Sequence, residues 1–219
     1  MLVNYYNLSQ ALLKQVDEIN KQTGIKRKLV IHGCCAPCSC YPIEVLDEYF
    51  DVTILYTNSN IYPREEYDIR LNELVDYIKT YNDTHDSNVK LVIPTYDNVS
   101  YTKLIKDRGN HREGGEICFK CYEMRIRDAF EYAKQHHFDY AGTVMSISRQ
   151  KSSSKLNEIG LQLQKEYPNI EFLIADFKKK GGQNRRDELS KDMYRQKYCG
   201  CVFSYQEYLK REEQNKATI

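Results

Sequence analysis

The stretch "KLVIHGCCAPCSC", Lys28 to Cys40, decides how the chain is read. It opens on a short apolar run of strand length and then places four cysteines, Cys34, Cys35, Cys38 and Cys40, between His32 and Cys40. Four more β-branched and apolar runs, "VTILYT", "VKLVIP", "YAGTVM" and "IEFLIADF", read as further buried strands of about five residues each. Segments with helical spacing separate them. Arg64 to Tyr81 brings Tyr67, Leu71, Leu74 and Ile78 onto one face, and Cys118 to His137 does the same with Tyr122, Ile126, Ala129 and Ala133. This alternation predicts an α/β fold of one domain, a parallel sheet covered on both faces by helices. Residues 1–27 are expected to form a peripheral helix around "LSQALLKQVDEIN", packed against an α/β metal-binding domain of residues 28–219.

The chain has 219 residues, 41% of them hydrophobic, enough for one sizeable core. No apolar run approaches the roughly 20 residues that cross a bilayer, and the first residues lack the basic start and apolar block of a signal peptide. The expected location is the cytoplasm, with no membrane partner. In a reducing compartment the eight cysteines read as metal ligands or redox groups before they read as disulfides. The net charge of +1 conceals basic segments, "KDRGNHR", "SRQKSSSK" and "FKKKGGQNRR", so attraction to a polyanion is local.

In a parallel α/β sheet ligands bind beyond the carboxyl ends of the strands, and every cysteine can be placed there. Cys118 and Cys121 are three residues apart at a helix N-terminus, which puts both sulfurs on one side where the helix dipole favours thiolate. With Cys34 and Cys35 they can supply four thiolate ligands, a set that suits zinc or an iron–sulfur cluster. Gly200 lets Cys199 and Cys201 converge on one ion, and Cys38 can join them as a third ligand, leaving a coordination position open for catalysis. Cys40 is left without a role. His32 is expected to hydrogen-bond a sulfur rather than to donate a proton, and Asp176 either faces the site or caps a helix.

The segments "HGCCAPCSC", "CFKCYEMR" and "ADFKKKGGQNRRDELSKDMYRQKYCGCVFS" resemble the QueH-type epoxyqueuosine reductases, which carry C-C-A-P-C after the first strand, C-x-x-C-Y-x-x-R on a helix, and F-K-K-K-G-G ahead of Y-R-Q-x-Y-C-G-C. The resemblance runs from Lys28 to Ser204. It implies a fold of the adenine nucleotide α-hydrolase-like (HUP) class and the reduction of epoxyqueuosine to queuosine in tRNA, the last step of queuosine synthesis. It further implies a [4Fe–4S] cluster on Cys34, Cys35, Cys118 and Cys121, and one additional metal ion, expected to be iron, on Cys38, Cys199 and Cys201 as the catalytic ligands. Where the family shows Ser-Pro-aromatic-Lys, this chain has Ser148-Arg149-Gln150-Lys151, which keeps the lysine and lacks the proline and the aromatic residue.

Removing an epoxide oxygen takes two electrons and two protons, and an ion with an open position stabilises the developing alkoxide. The electrons come from an external donor that the sequence does not name. The substrate implied is a tRNA anticodon loop, whose bases are read by stacking and whose phosphates meet lysine and arginine. Expected RNA contacts are Lys178, Lys179, Lys180, Arg185 and Arg186, then Arg149 and Lys151. Tyr194, Tyr122 and Tyr198 are the expected stacking partners among nineteen tyrosines. The competing reading is a zinc-stabilised RNA-binding protein without catalysis, which would be colourless and free of sulfide. An ATP-using enzyme of the same broad fold ranks below both, because cysteines replace the glycine- and serine-rich phosphate loop after the first strand.

Overall fold

β1 (Arg27–His32) lies at the centre of a five-stranded sheet in the computed structural model, which describes residues 3–217. It pairs in parallel with β2 (Phe50–Leu55) on one side and β4 (Tyr140–Thr143) on the other. β3 (Lys90–Val92) and β5 (Glu171–Phe172) add parallel edges, giving the order β3-β2-β1-β4-β5. This is the single α/β domain expected, and its strand order is consistent with the HUP-like class. The order reverses between β1 and β4, so the chain leaves the sheet in opposite directions there and opens a crevice at the carboxyl ends. The segments after those two strands carry Cys34 to Cys38 and Ser148 to Lys151.

Alternate residues of β1 feed two cores, as the two-residue period of a strand requires. Leu29 and Ile31 pack with Leu13 and Val16 of α1 (Tyr5–Thr23), Ile43 and Leu46 of α2 (Ala36–Leu46), and Tyr67, Leu74 and Ile78 of α3 (Arg64–His85). Val30 faces the other way, onto Tyr122, Ile126, Ala129 and Phe130 of α5 (Glu116–His136) and Leu156 and Leu163 of α6 (Ser153–Gln164). Both expected helical faces are therefore inward. The N-terminal helix sends Leu13 and Val16 into the main core rather than lying only on its surface.

One element differs from its expectation. The cysteine-rich stretch reads as a loop in sequence, yet α2 begins at Ala36, so Cys38 and Cys40 are helical and Cys35 is the N-cap. Pro37 sits in the first turn, where its missing N–H has no partner to lose and its fixed φ suits the helix. Pro42 lies further in, at a position where proline normally signals the end of a helix, and so it disguises this one. The remaining helices, α4 (Asn98–Leu104), α7 (Gly182–Leu189) and α8 (Val202–Ala217), carry the loops around the crevice.

Gly160 on α6 lies against β5, and a Cβ there would overlap the Phe172 ring. Alanine ordinarily stabilises a helix interior by about 1 kcal/mol relative to glycine. Here overpacking reverses the sign, and Gly160→Ala is expected to destabilise by about 1–3 kcal/mol, read as a lowered midpoint in urea unfolding.

Candidate metal centre

The first thiol group forms where β1 runs into α2. Cys34, Cys35 and Cys38 are all buried, and their sulfurs lie within 4.8 Å of one another. The Cys34 and Cys35 sulfurs are 3.9 Å apart. No side chain caps α2, whose N-cap is Cys35 and whose first turn holds Cys38, so these cysteines stand at the positive end of its dipole. Hydrogen bonds from Cys35 and then Cys38 hold the Cys34 thiol well below its ordinary range, and the hydrogen bond with Cys34 pushes the Cys38 thiol up to about 12. Three buried sulfurs this close together can give up their protons to one shared cation.

The second group is assembled from two distant segments. Cys118 and Cys121 are the third and sixth residues of α5, as the spacing predicts, and the Gly114 N–H donates to the Cys118 sulfur at 3.4 Å. The Tyr101 hydroxyl donates to the Cys121 sulfur at 3.1 Å. Together with Cys199 and Cys201 they line one enclosed cavity of about 20 Å³, roomy enough for an ion-sized occupant. Burial raises the thiols of Cys121 and Cys201. Two other buried atoms of residues that line that cavity, Arg108 Nε and Asn60 Oδ1, have no hydrogen-bond partner among the described residues. Orphaned polar atoms around sulfur are what a thiolate-bound inorganic group would satisfy, so the residues present fit one.

The Tyr198–Cys201 loop is held by Arg70, which is 1% exposed. Its guanidinium donates to the Cys199 carbonyl at 3.1 Å and the Tyr198 carbonyl at 3.2 Å, while Glu66 accepts from its Nε at 2.8 Å. Tyr194 completes this arrangement by donating its hydroxyl to Glu66 at 2.7 Å. Gly200 adopts φ 141°, in the region that favours glycine, with Asn60, Ile61 and Arg70 closely packed around it. Sequence spacing alone singles out Gly200 but not Glu66 or Arg70.

Between the two thiol groups lies Arg125, 2% exposed. Its Nε donates to His32 Nε2 at 3.1 Å and its NH2 to Asn58 Oδ1 at 3.0 Å. A guanidinium only donates, so His32 Nε2 accepts and its proton resides on Nδ1, 3.1 Å from Thr143 Oγ1, its neighbour in the β1–β4 register. Burial first, then the Arg125 charge, lowers the His32 pKa to about 3 and keeps the ring neutral. This corrects the expectation for His32, whose partners are Thr143 and Arg125 rather than a sulfur. Asp176 accepts from the Ser153 hydroxyl at 2.8 Å beside the start of α6, and it lines neither the thiol cavity nor its mouth.

Above the thiols an open cavity of about 410 Å³ is lined by Cys199, Tyr198, Lys151, Lys197 and Arg211, with Glu113 as its acid. Burial works against the Lys151 ammonium, but Cys199, followed by Tyr122 and Cys34, outweighs it and keeps the side chain charged. Of the basic residues expected to meet RNA, only Lys151 lines this cavity. Lys178 Nζ donates to the Ser148 and Lys151 carbonyls and ties down their loop. Arg185 pairs with Glu44 and Glu188, and Arg186 with Asp187. Lys179 and Lys180 are exposed. Arg149 pairs with Asp187 in the stretch where the proline and aromatic residue are lacking. Tyr122 is buried in the core, and Tyr198 stacks on Tyr208 with ring centroids 5.7 Å apart. Cys40 is buried away from the other thiols, its sulfur 3.6 Å from the Pro37 carbonyl, and burial raises its pKa to about 11.

A parallel sheet with this strand order and seven thiols gathered at its carboxyl edge defines a HUP-like α/β protein with a polythiol centre. A family model described as epoxyqueuosine reductase QueH matches residues 29–216. The chain is 35% identical over 206 residues to the epoxyqueuosine reductase QueH of Staphylococcus aureus, covering 92% of this chain and 84% of that one. It is 31% identical over 195 residues to the enzyme of that name from Streptococcus pyogenes, covering 88% and 76%, and 30% identical over 183 residues to that of Thermotoga maritima, covering 80% and 89%. The chain belongs to the epoxyqueuosine reductase QueH family.

Removing the partner of a buried charge is costly, and Arg70 has Glu66 as its carboxylate at 2.7 Å. Glu66→Ala is expected to destabilise by about 3–5 kcal/mol in denaturant unfolding. It should also speed the reaction of Cys199 with a thiol reagent, since the loop loses the residue that orients Arg70.

Proposed function

We propose that this protein reduces epoxyqueuosine to queuosine in tRNA, at the cavity that opens on Cys199. The observation that carries the reading is the convergence of seven thiols beneath an open cationic cavity of nucleoside size, in a chain of this family. Held by these thiolates, a [4Fe–4S] cluster supplies single electrons passed from an external donor, and an additional metal ion, taken to be iron, supplies Lewis acidity toward the epoxide oxygen. The ligands proposed are Cys34, Cys35, Cys118 and Cys121 for the cluster and Cys38, Cys199 and Cys201 for the ion. A cytoplasmic setting keeps all of them reduced.

The protein's own groups do the rest. Lys151 presents a fixed positive charge to the cavity beside Cys199, where it stabilises negative charge on a leaving oxygen or a nearby phosphate. Lys197 and Arg211 extend that charge along the wall and suit the sugar-phosphate backbone on either side of a splayed base. Tyr198 forms part of the wall, fixed by its stacking on Tyr208 and by its hydroxyl bond to the Tyr62 carbonyl. RNA docking is therefore assigned mainly to Lys151, Lys197 and Arg211, with Lys179 and Lys180 outside the cavity as further phosphate-binding groups.

The proposed ligand division crosses the grouping of sulfurs, which sets Cys34, Cys35 and Cys38 together and Cys118, Cys121, Cys199 and Cys201 around one cavity. Serine variants separate the two arrangements. If the division holds, Cys118→Ser loses the cluster's iron and sulfide, whereas Cys199→Ser and Cys201→Ser keep the cluster spectrum and lose epoxide reduction. If Cys118→Ser and Cys199→Ser lose the same iron and sulfide, the cavity grouping is the ligand set. Cys40→Ser should remain active under either. Full zinc occupancy without sulfide after anaerobic isolation would instead support the zinc-stabilised RNA-binding protein.

Replacing Lys151, Lys197 or Arg211 by glutamine should weaken binding of an anticodon stem-loop without changing metal content. For each phosphate that goes unneutralised, the slope of log K against log salt should flatten by roughly 0.7. An unchanged slope for all three variants would remove the cavity wall from RNA docking.

A further inference from the structure

Arg125 is a buried cation without a carboxylate. It makes no ion pair within 4.0 Å among the described residues, whereas the two other buried arginines near the thiols each have one, Arg70 with Glu66 and Arg108 with Glu207. Asp128, one turn along α5, accepts from the Thr57 hydroxyl; the Arg125 charge acts on its carboxyl from beyond ion-pair distance. The hydrogen-bond partners of Arg125 are neutral. His32 is held as the Nδ1–H tautomer by Thr143, and the Asn58 amide is fixed by donating to the Gly33 carbonyl at 2.7 Å. The sulfur groups that act on the guanidinium are Cys121, Cys34 and Cys199, drawn from both thiol groups. A charge buried with only neutral hydrogen-bond partners is expensive, and such a residue persists where a negative group shares the interior with it.

We propose that Arg125 is the counter-charge of the thiolate-held group, a positioning residue that stabilises its reduced, more negative state and so raises its reduction potential. This rests on the reading that the thiolates hold an iron–sulfur group. Four thiolates outweigh the charge of a [4Fe–4S] core, so the assembled group is anionic and becomes more so on reduction. A cation buried beside it favours the electron's arrival, and hydrogen bonds and net charge near the sulfurs are established means of tuning such centres. The hydrogen bonds to His32 and Asn58 hold the guanidinium in place without cancelling its charge, a distinction that a carboxylate partner would erase.

The test compares the unsubstituted chain, Arg125→Gln, Arg125→Lys and Asn58→Asp, each purified anaerobically with its metal. Asn58→Asp keeps the guanidinium and nearly the same shape, and places a carboxylate where an oxygen now lies 3.0 Å from it, so the result does not depend on the glutamine variant folding. Two quantities are measured: the iron and sulfide retained against a chelator, and the midpoint potential. Arg125→Gln and Asn58→Asp should release iron roughly 10- to 100-fold more readily, with a midpoint shifted to more negative potential. Arg125→Lys, which keeps the charge and loses the fork geometry, should stay close to the unsubstituted chain. Unchanged retention and potential in both Arg125→Gln and Asn58→Asp would overturn the proposal. So would Arg125→Lys failing as badly as Arg125→Gln, which would assign Arg125 a role of shape. If the unsubstituted chain holds zinc and no sulfide, the iron–sulfur reading falls, and zinc retention against the chelator in the same four chains still decides the counter-charge.

Discussion

Thiolate charge in a protein interior is tolerated only when opposite charge is buried beside it, and that constraint organises this molecule around the carboxyl edge of its sheet. Arg125 reaches both thiol groups, Arg70 fixes the backbone of one of them, Arg108 lies along the Cys118–Cys201 cavity, and Lys151 closes the solvent side. None of these cations is a ligand. For two of them the cost of burial is offset by the carboxylates of Glu66 and Glu207.

The sheet supplies the geometry that lets one edge collect so many thiols. The chain leaves the sheet in opposite directions after β1 and β4, and after β1 it turns directly into α2, whose N-terminus carries Cys35 as its N-cap and Cys38 in its first turn. α5 likewise begins without a side-chain cap and presents Cys118 and Cys121. Two helix N-termini thus supply part of the positive potential that thiolates need. Cys199 and Cys201 arrive on the loop just ahead of α8, held by Ser204 of that helix, whose hydroxyl accepts from the Gly200 N–H and donates to the Cys201 carbonyl, and by the Glu66–Arg70 pair of α3.

Access is also set by packing. The second thiol group is enclosed, with space for little more than an ion, while Cys199 shares a wall with an open cavity large enough for a nucleoside. Arg149, Arg185 and Arg186 pair with neighbouring acids and Lys178 with backbone carbonyls, while Lys151, Lys197 and Arg211 line the cavity, Arg211 with its Nε on the Glu207 carbonyl and Lys197 over the Tyr208 ring.

The sequence by itself determined the order of the five strands and the inward faces of α3 and α5, because two-residue and helical periods are local signals, but not that β3 and β5 are edges of three and two residues rather than buried strands of about five. It also set Cys118 and Cys121 on the first turns of a helix. The beginning of α2 was not legible, since Pro37 and Pro42 read as loop residues until the helix is seen to accommodate both. His32 was visible as a neighbour of the cysteines, but its partners come from β4 and α5, 111 and 93 residues away, and only tertiary structure neutralises it and turns it from the sulfurs. "KKK" and "RR" look alike in sequence whether solvated, paired or facing a ligand. Which of them are engaged was decided by acids distant in the chain, Glu44 opposite Arg185 among them, and which sulfurs share a cavity was decided by how the last loop folds back onto α5.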